Sequence, residues 1–323
     1  MAIKYVVVHR ADKNNIGDMS SNPLQYFLPQ HEYQVVDILD IGTASYPSDV
    51  PLIAGGGGLI ANDFLGSDLM YALNNSDQNA LMSLWKESWS VVNHNNVSVR
   101  DEFLRKLQPL IKEYIDKLDK STAPRIVWGA GHNEDTTKRV KRPEWPDWLS
   151  NFDLIGVRDY GQPFEWVPCA SCLDTAFDKT YRIKNDIIWY EHKKQLIKST
   201  HFGNTPIPRY INSGSNMEQT IELLGSANTI ITNSYHGAYW GTLLGKKVIV
   251  AGPWSSKFHT LKHRVTFINP QDNSNTQENT QPQLSDTNFE TKQSKGALMD
   301  KAYEDMMKQR GADMPQGISG MRI

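Results

Sequence analysis

The chain has 323 residues, of which 39% are hydrophobic and 22% charged, with a formal net charge of −2. That length accommodates two domains of ordinary size, and the near-neutral balance offers no bulk field to hold nucleic acid or an anionic membrane surface. No apolar run approaches the roughly 18 residues a membrane-spanning helix needs, and residues 1–8 lack the features of a secretory signal, so a soluble, cytoplasmic protein is expected.

Residues 3–9 (IKYVVVH) open the chain as a β-branched strand, followed by a polar loop, RADKNNIGDMSSNP, whose Asn, Gly and Asp suit a tight turn over the strand end. Residues 34–41 and 51–54 read as further strands, the second running into four glycines, 55–58. Helical periodicity follows at 63–74, 77–93 and 101–118, the last with apolar positions at Leu104, Leu107, Leu110, Ile111, Tyr114 and Leu118. Residues 125–130 (RIVWGA) return to strand. Strands alternating with helices predict a parallel sheet covered on both faces.

After a segment rich in Pro and Trp the rhythm restarts. Strands are predicted at 154–157, 187–190, 209–211, 229–232 and 247–250, and helices at 216–224 and 235–244. The pattern predicts an α/β fold of two Rossmann-like domains, 1–150 and 151–268, with a cleft between them. Residues 269–296 are a polar, low-complexity stretch with almost nothing to bury, expected to be disordered. Residues 297–323 hold an amphipathic helix and a tail.

Within 229–252 (TIITNSYHGAYWGTLLGKKVIVAG) a turn joins a strand to a short helix. Parallel sheets bind ligands at the carboxyl ends of their strands, so His236 there would lie among the unpaired amides of a helix N-terminus. Ser234, Tyr235 and Gly237 flank it. The histidine reads either as an anion-contacting group or as a cap or packed ring. Gly56, Gly57 and Gly58 either let the backbone approach an anion or form a tight turn; they match neither GxGxxG nor a P-loop. Arg158 in GVRD offers a guanidinium for a carboxylate or phosphate, with a contact to Asp159 or a helix cap as the alternative. Asn15, Gly17 and Asp18 form a polar cluster at the same predicted edge.

The other candidates are weaker. Cys169 and Cys172 are too few for a disulfide scaffold and lack the further ligands of a zinc site; they read as a redox pair or as two buried, inert thiols. His132 reads as a histidine facing the cleft or, more commonly for such a loop, as an exposed one, and His259 with His263 would chelate a metal only on one helix.

Taken together, NIGD (15–18), GGGGL (55–59), GVRD (156–159) and TNSYHGAYWGTLLGKKV (232–248) resemble the polysaccharide pyruvyl transferase family in identity, order and approximate spacing. The resemblance implies transfer of the enolpyruvyl-derived group of phosphoenolpyruvate to two hydroxyls of a sugar, giving a pyruvate ketal and releasing phosphate. The acceptor would be a polysaccharide repeat unit or a lipid- or nucleotide-linked sugar, and the fold that of two-domain (GT-B-like) glycosyltransferases with facing Rossmann-like halves. It implies that Arg158 binds the donor's carboxylate or phosphate and that His236 is the acid/base. It implies no metal and no organic cofactor, phosphoenolpyruvate being a substrate. His236 is expected to be neutral in the empty enzyme and protonated once the donor binds. The chain departs from the pattern in the Cys169–Cys172 loop and in the short stretch 180–212. A glycosyltransferase using a nucleotide sugar, or a non-catalytic glycan-assembly protein of the same fold, are the competing readings.

Overall fold

The β-branched runs of the N-terminal part form one wholly parallel sheet. A computed structural model describes residues 2–40, 44–60, 122–133, 145, 147–193, 207–214 and 216–268. In it β1 (Tyr5–His9), β2 (Tyr33–Asp37), β3 (Leu52–Gly55), β4 (Arg125–Ala130), β5 (Leu154–Val157) and β6 (Glu165–Trp166) lie in the order β2-β1-β3-β4-β5-β6. All their pairings are parallel. Every residue of β1 and β3 is buried, which is why these strands read as unbroken apolar runs rather than alternating ones.

A second parallel sheet holds β7 (Asn185–His192), β8 (Arg209–Asn212), β9 (Ala227–Thr232), β10 (Lys247–Ala251) and β11 (Thr266–Ile268) in the order β11-β10-β9-β7-β8. Counted from its own first strand the order is 2-1-3-4-5, the same as in the first five strands of the N-terminal sheet. Each sheet therefore reverses direction beside its first strand, and ligands of open parallel sheets bind outside the carboxyl ends at such a reversal. In the first sheet that point lies between β1 and β3; in the second, between β7 and β9.

Three helices are described: α1 (Ile16–Met19), α2 (Met217–Gly225) and α3 (Tyr235–Leu243). α2 is capped by Asn216, whose side chain accepts from the Gln219 amide, and buries Ile221 and Leu224. α3 has no polar face, and every residue from Tyr235 to Gly241 is buried. Its Trp240 is fully buried in the core of the second sheet, beside Ile188, Ile230 and Phe258. Removing one such indole from water is worth about 5 kcal/mol by area bookkeeping. That holds the start of α3 in a fixed place.

Three expectations change. The strand at 154–157, assigned above to the second domain, is hydrogen-bonded to β4 and completes the first sheet, with β6 beyond it. By sheet membership the division therefore falls between Trp166 and Asn185. The strand foreseen at 34–41 ends at Asp37, where a 3-10 turn, Ile38–Asp40, takes over. The short strands β6 and β11 were not foreseen. The helices expected at 63–74, 77–93 and 101–118, the polar stretch 269–296 and the segment 297–323 lie outside the described residues. No described helix is long and apolar enough to cross a membrane.

Candidate active site

The turn between β9 and α3 is built by its own polar side chains. The Thr232 hydroxyl donates to the Tyr190 carbonyl and accepts from the Ser234 amide at 2.9 Å. Ser234 caps α3: its Oγ accepts from the Gly237 amide and, at 3.1 Å, from Asn212 Nδ2. Asn212 is itself oriented by the Tyr190 hydroxyl, 3.0 Å from its Oδ1. Gly237 permits this closeness, since a Cβ there would overlap Thr232 Oγ1 and Tyr190. His236 is thereby fixed as the second residue of the helix, almost fully buried, its ring 4.9 Å from that of Trp240.

Against this turn lies the first loop of the other sheet. Asn15 caps α1, with its Oδ1 accepting from the Gly17 amide at 3.1 Å and its Nδ2 donating to Asp18 at 2.7 Å. Asn15 and Asp18 thus shape the loop that presents Gly17. A Cβ on Gly17 would overlap Nδ1 of His236, so only glycine lets the ring lie here. Ile16 is buried in the core of the second sheet, and Lys193 after β7 pairs with Asp12 at 2.7 Å. The carboxyl-end loops of the two sheets therefore meet at their reversal points.

Arg158 follows β5 and is 5% exposed. Its guanidinium lies 4.1 Å over the ring of Tyr235, the neighbour of His236. Its Nε has no hydrogen-bond partner and it forms no ion pair among the described residues. The Asp159 carboxylate lies near enough to feel its charge but makes its hydrogen bonds elsewhere, accepting from the His132 amide at 2.8 Å and from the Thr260 hydroxyl. A buried guanidinium with an unmade hydrogen bond is costly, and an anionic ligand that accepts from it offsets that cost. His132, expected to be an exposed loop residue, is fully buried with Nδ1 2.9 Å from Ser256 Oγ. It ties the end of β4 to the loop after β10, and the Tyr160 amide, after β5, donates to the Thr260 carbonyl of the same loop at 2.9 Å.

Burial, and then the positive charges of Arg158 and Lys257, push the His236 pKa well below its usual 6.5. The ring is therefore neutral near pH 7, as expected, with burial as the main cause. Gly56 and Gly57 adopt positive φ, and Cβ atoms on Gly56 and Gly58 would overlap Ser21 and Asn133. These two contacts are those of a tightly packed turn.

The sequence of this cleft carries a family signature across both sheets: the family model for polysaccharide pyruvyl transferase matches residues 15–255. The chain belongs to the polysaccharide pyruvyl transferase family. No curated protein and no solved structure matches it. The family span begins at Asn15 and closes at Ser255, so it contains the α1 loop, the glycines, Arg158 and the start of α3.

Two features of this pyruvyl transferase family member have no counterpart in the sequence pattern: the contact Cys169 makes and the burial of His9. Cys169, after β6, is fully buried, which fits the reading as a buried thiol, and its Sγ lies 3.7 Å from His236 Nε2. It also lines a narrow cavity beside Arg158 with Trp166, Tyr235 and Tyr239. No spacing rule links a cysteine to a histidine in the other sheet. Cys172 is half-buried, and neither thiol is in a disulfide. His259 and His263 share no helix, since the 3-10 turn Ser256–Phe258 ends before them.

His9, at the carboxyl end of β1, carries the second. Burial lowers its pKa from 6.5 to about 4, against smaller raising effects of the Asp18 backbone and Asp37. The unfolded chain then binds the extra proton first, so the stability due to neutral His9 is complete above pH 6.5 and lost as pH falls toward 4. On the order of 3 kcal/mol is at stake. Urea unfolding at pH 7 and 4.5 is expected to show that loss in the native protein and a shallower one in His9→Gln. An unchanged slope in the variant contradicts it.

Proposed function

We propose that this protein is a ketal-forming pyruvyl transferase that uses phosphoenolpyruvate as donor and a saccharide as acceptor. The supporting observation is the juxtaposition, across two sheets, of a buried guanidinium whose Nε has no hydrogen-bond partner and a buried neutral imidazole at a helix N-terminus. Phosphoenolpyruvate carries a carboxylate and a phosphate beside a methylene carbon that must be protonated. A cation that grips the anion and a proton donor next to it meet both needs. In this reading the two sheets are the facing Rossmann-like halves of a GT-B-like architecture, and the donor lies between them.

The steps follow from charge. Binding of the trianionic donor raises the His236 pKa, and the ring takes up a proton. It then passes a ring proton to the methylene carbon as the double bond's electrons move to form the new C–H bond, leaving positive charge on the central carbon. Arg158 steadies the adjacent carboxylate or phosphate. One sugar hydroxyl adds to the central carbon and loses its proton to His236. The C–O bond to phosphate breaks with its electron pair, and the second hydroxyl closes the ketal as its proton leaves with phosphate. Asn15, Asp18 and Ser234 act here by holding Gly17 and the start of α3 in place, while Gly56, Gly57, Gly58, Tyr235 and Gly237 line or support the donor region.

Thermal unfolding in the presence of phosphoenolpyruvate tests the donor assignment without knowledge of the acceptor. At 100 times its dissociation constant the donor is expected to add about 2.7 kcal/mol of stability. Stabilisation by a nucleotide sugar with none by phosphoenolpyruvate would favour the glycosyltransferase reading instead.

A further inference from the structure

The neighbours of the His236 ring set the direction of a chain of hydrogen bonds. Trp240 Nε1 can only donate, and it donates to Ser171 Oγ at 3.0 Å. The Ser171 hydroxyl, its oxygen engaged by that indole, donates its own hydrogen to Cys169 Sγ at 3.3 Å. The sulfur accepts from serine and keeps one hydrogen of its own. His236 Nε2 lies 3.7 Å away, within reach of a thiol donor. All four residues are buried and no water-facing group interrupts the sequence of donors. The thiol is further held in place because the Cys169 carbonyl accepts from the Tyr239 hydroxyl at 3.1 Å.

We infer that Cys169 is a positioning residue: its S–H donates to Nε2 of His236 and thereby fixes the resting imidazole as the Nδ1–H tautomer. The other ring edge, Nδ1, packs against the backbone of Gly17 in the α1 loop. The working proton of the resting site is therefore on the nitrogen turned toward the first sheet, where the proposed donor binds. When donor binding adds a second proton at Nε2, the contact reverses and Nε2–H donates to the sulfur, which Ser171 already supports. Part of this inference, the use of Nδ1 in transfer, rests on the proposed function. The tautomer itself does not.

The experiment separates the two. In the full-length protein without donor, nitrogen-15 NMR of labelled histidine reports which ring nitrogen carries the proton, the His236 signal being assigned by its loss in His236→Gln. The native enzyme and Cys169→Ser, which keeps a hydroxyl donor, are expected to show Nδ1 protonated and Nε2 bare. Cys169→Ala is expected to show a tautomer mixture. With donor and acceptor, Cys169→Ala is expected to lower kcat by about 10- to 100-fold, the scale for losing a partner that orients an imidazole, with KM for phosphoenolpyruvate little changed. Cys169→Ser is expected to restore most of it. Protonated Nε2 in the native enzyme overturns the inference even if Cys169→Ala fails to fold, and so does an unchanged tautomer in a folded Cys169→Ala. A correct tautomer in a protein that transfers no pyruvyl group would leave the inference standing and remove the proposed function.

Discussion

His236→Ala is expected to lower pyruvyl transfer by about 10²-fold or more while leaving the fold and most donor affinity intact. The rate loss is the usual scale for removing a positioned acid/base. The fold survives because the ring is neutral: burial and Arg158 hold its pKa well below 6.5, so its removal orphans no charge. What is lost is contact with Tyr235 and Trp240, a cavity cost on the order of 1–3 kcal/mol. Donor affinity persists because Arg158 comes from the other sheet and follows β5, not α3. Single-turnover rates beside donor titration check both halves. Transfer at the native rate by a folded His236→Ala would show that the imidazole is only a packed ring.

Arg158→Ala is expected to have the complementary effect. Here donor affinity falls, and kcat/KM drops by about 10²- to 10³-fold, as for loss of one preorganised charge clamp. Arg158→Lys is expected to recover little, because an ammonium has neither the planar fork for a carboxylate nor the flat face that lies 4.1 Å over Tyr235. The pH dependence moves as well. Arg158 is the second cause of the low His236 pKa, so its removal raises that pKa toward 6.5. The limb of the pH–rate profile that reports the imidazole is therefore expected at higher pH in Arg158→Ala than in the native enzyme. Donor titration and a pH profile of kcat/KM measure the two effects, and an unshifted limb with native donor affinity contradicts both.

The strands were legible because both sheets are parallel and buried, and burial on two faces writes an apolar, β-branched run into the sequence. The α3 turn was legible for a related reason: Ser234, Gly237 and the tight spacing of TNSYHG are what a capped helix on a strand end requires. Sheet membership was not. β5 follows a break rich in Pro and Trp, which marks an excursion of the chain as readily as a domain boundary, and only its pairing with β4 decides. The polar partners of the site were hidden for another reason. Asp159 with Thr260, His132 with Ser256, and Cys169 with His236 are contacts between residues 67 to 124 positions apart, and no local pattern encodes them. The glycines at 56 and 58 could be read two ways, and the overlap a Cβ would make with Ser21 and Asn133 accounts for them by packing.

Under the proposed function, Arg158 and His236 serve a single donor molecule between the two sheets. A crystal structure of the protein with phosphoenolpyruvate bound tests it most directly. The expected result is the donor's carboxylate or phosphate on the Arg158 guanidinium and its methylene carbon facing the His236 ring. A donor bound away from both residues, or one gripped by Arg158 with its methylene carbon turned from the imidazole, would contradict it.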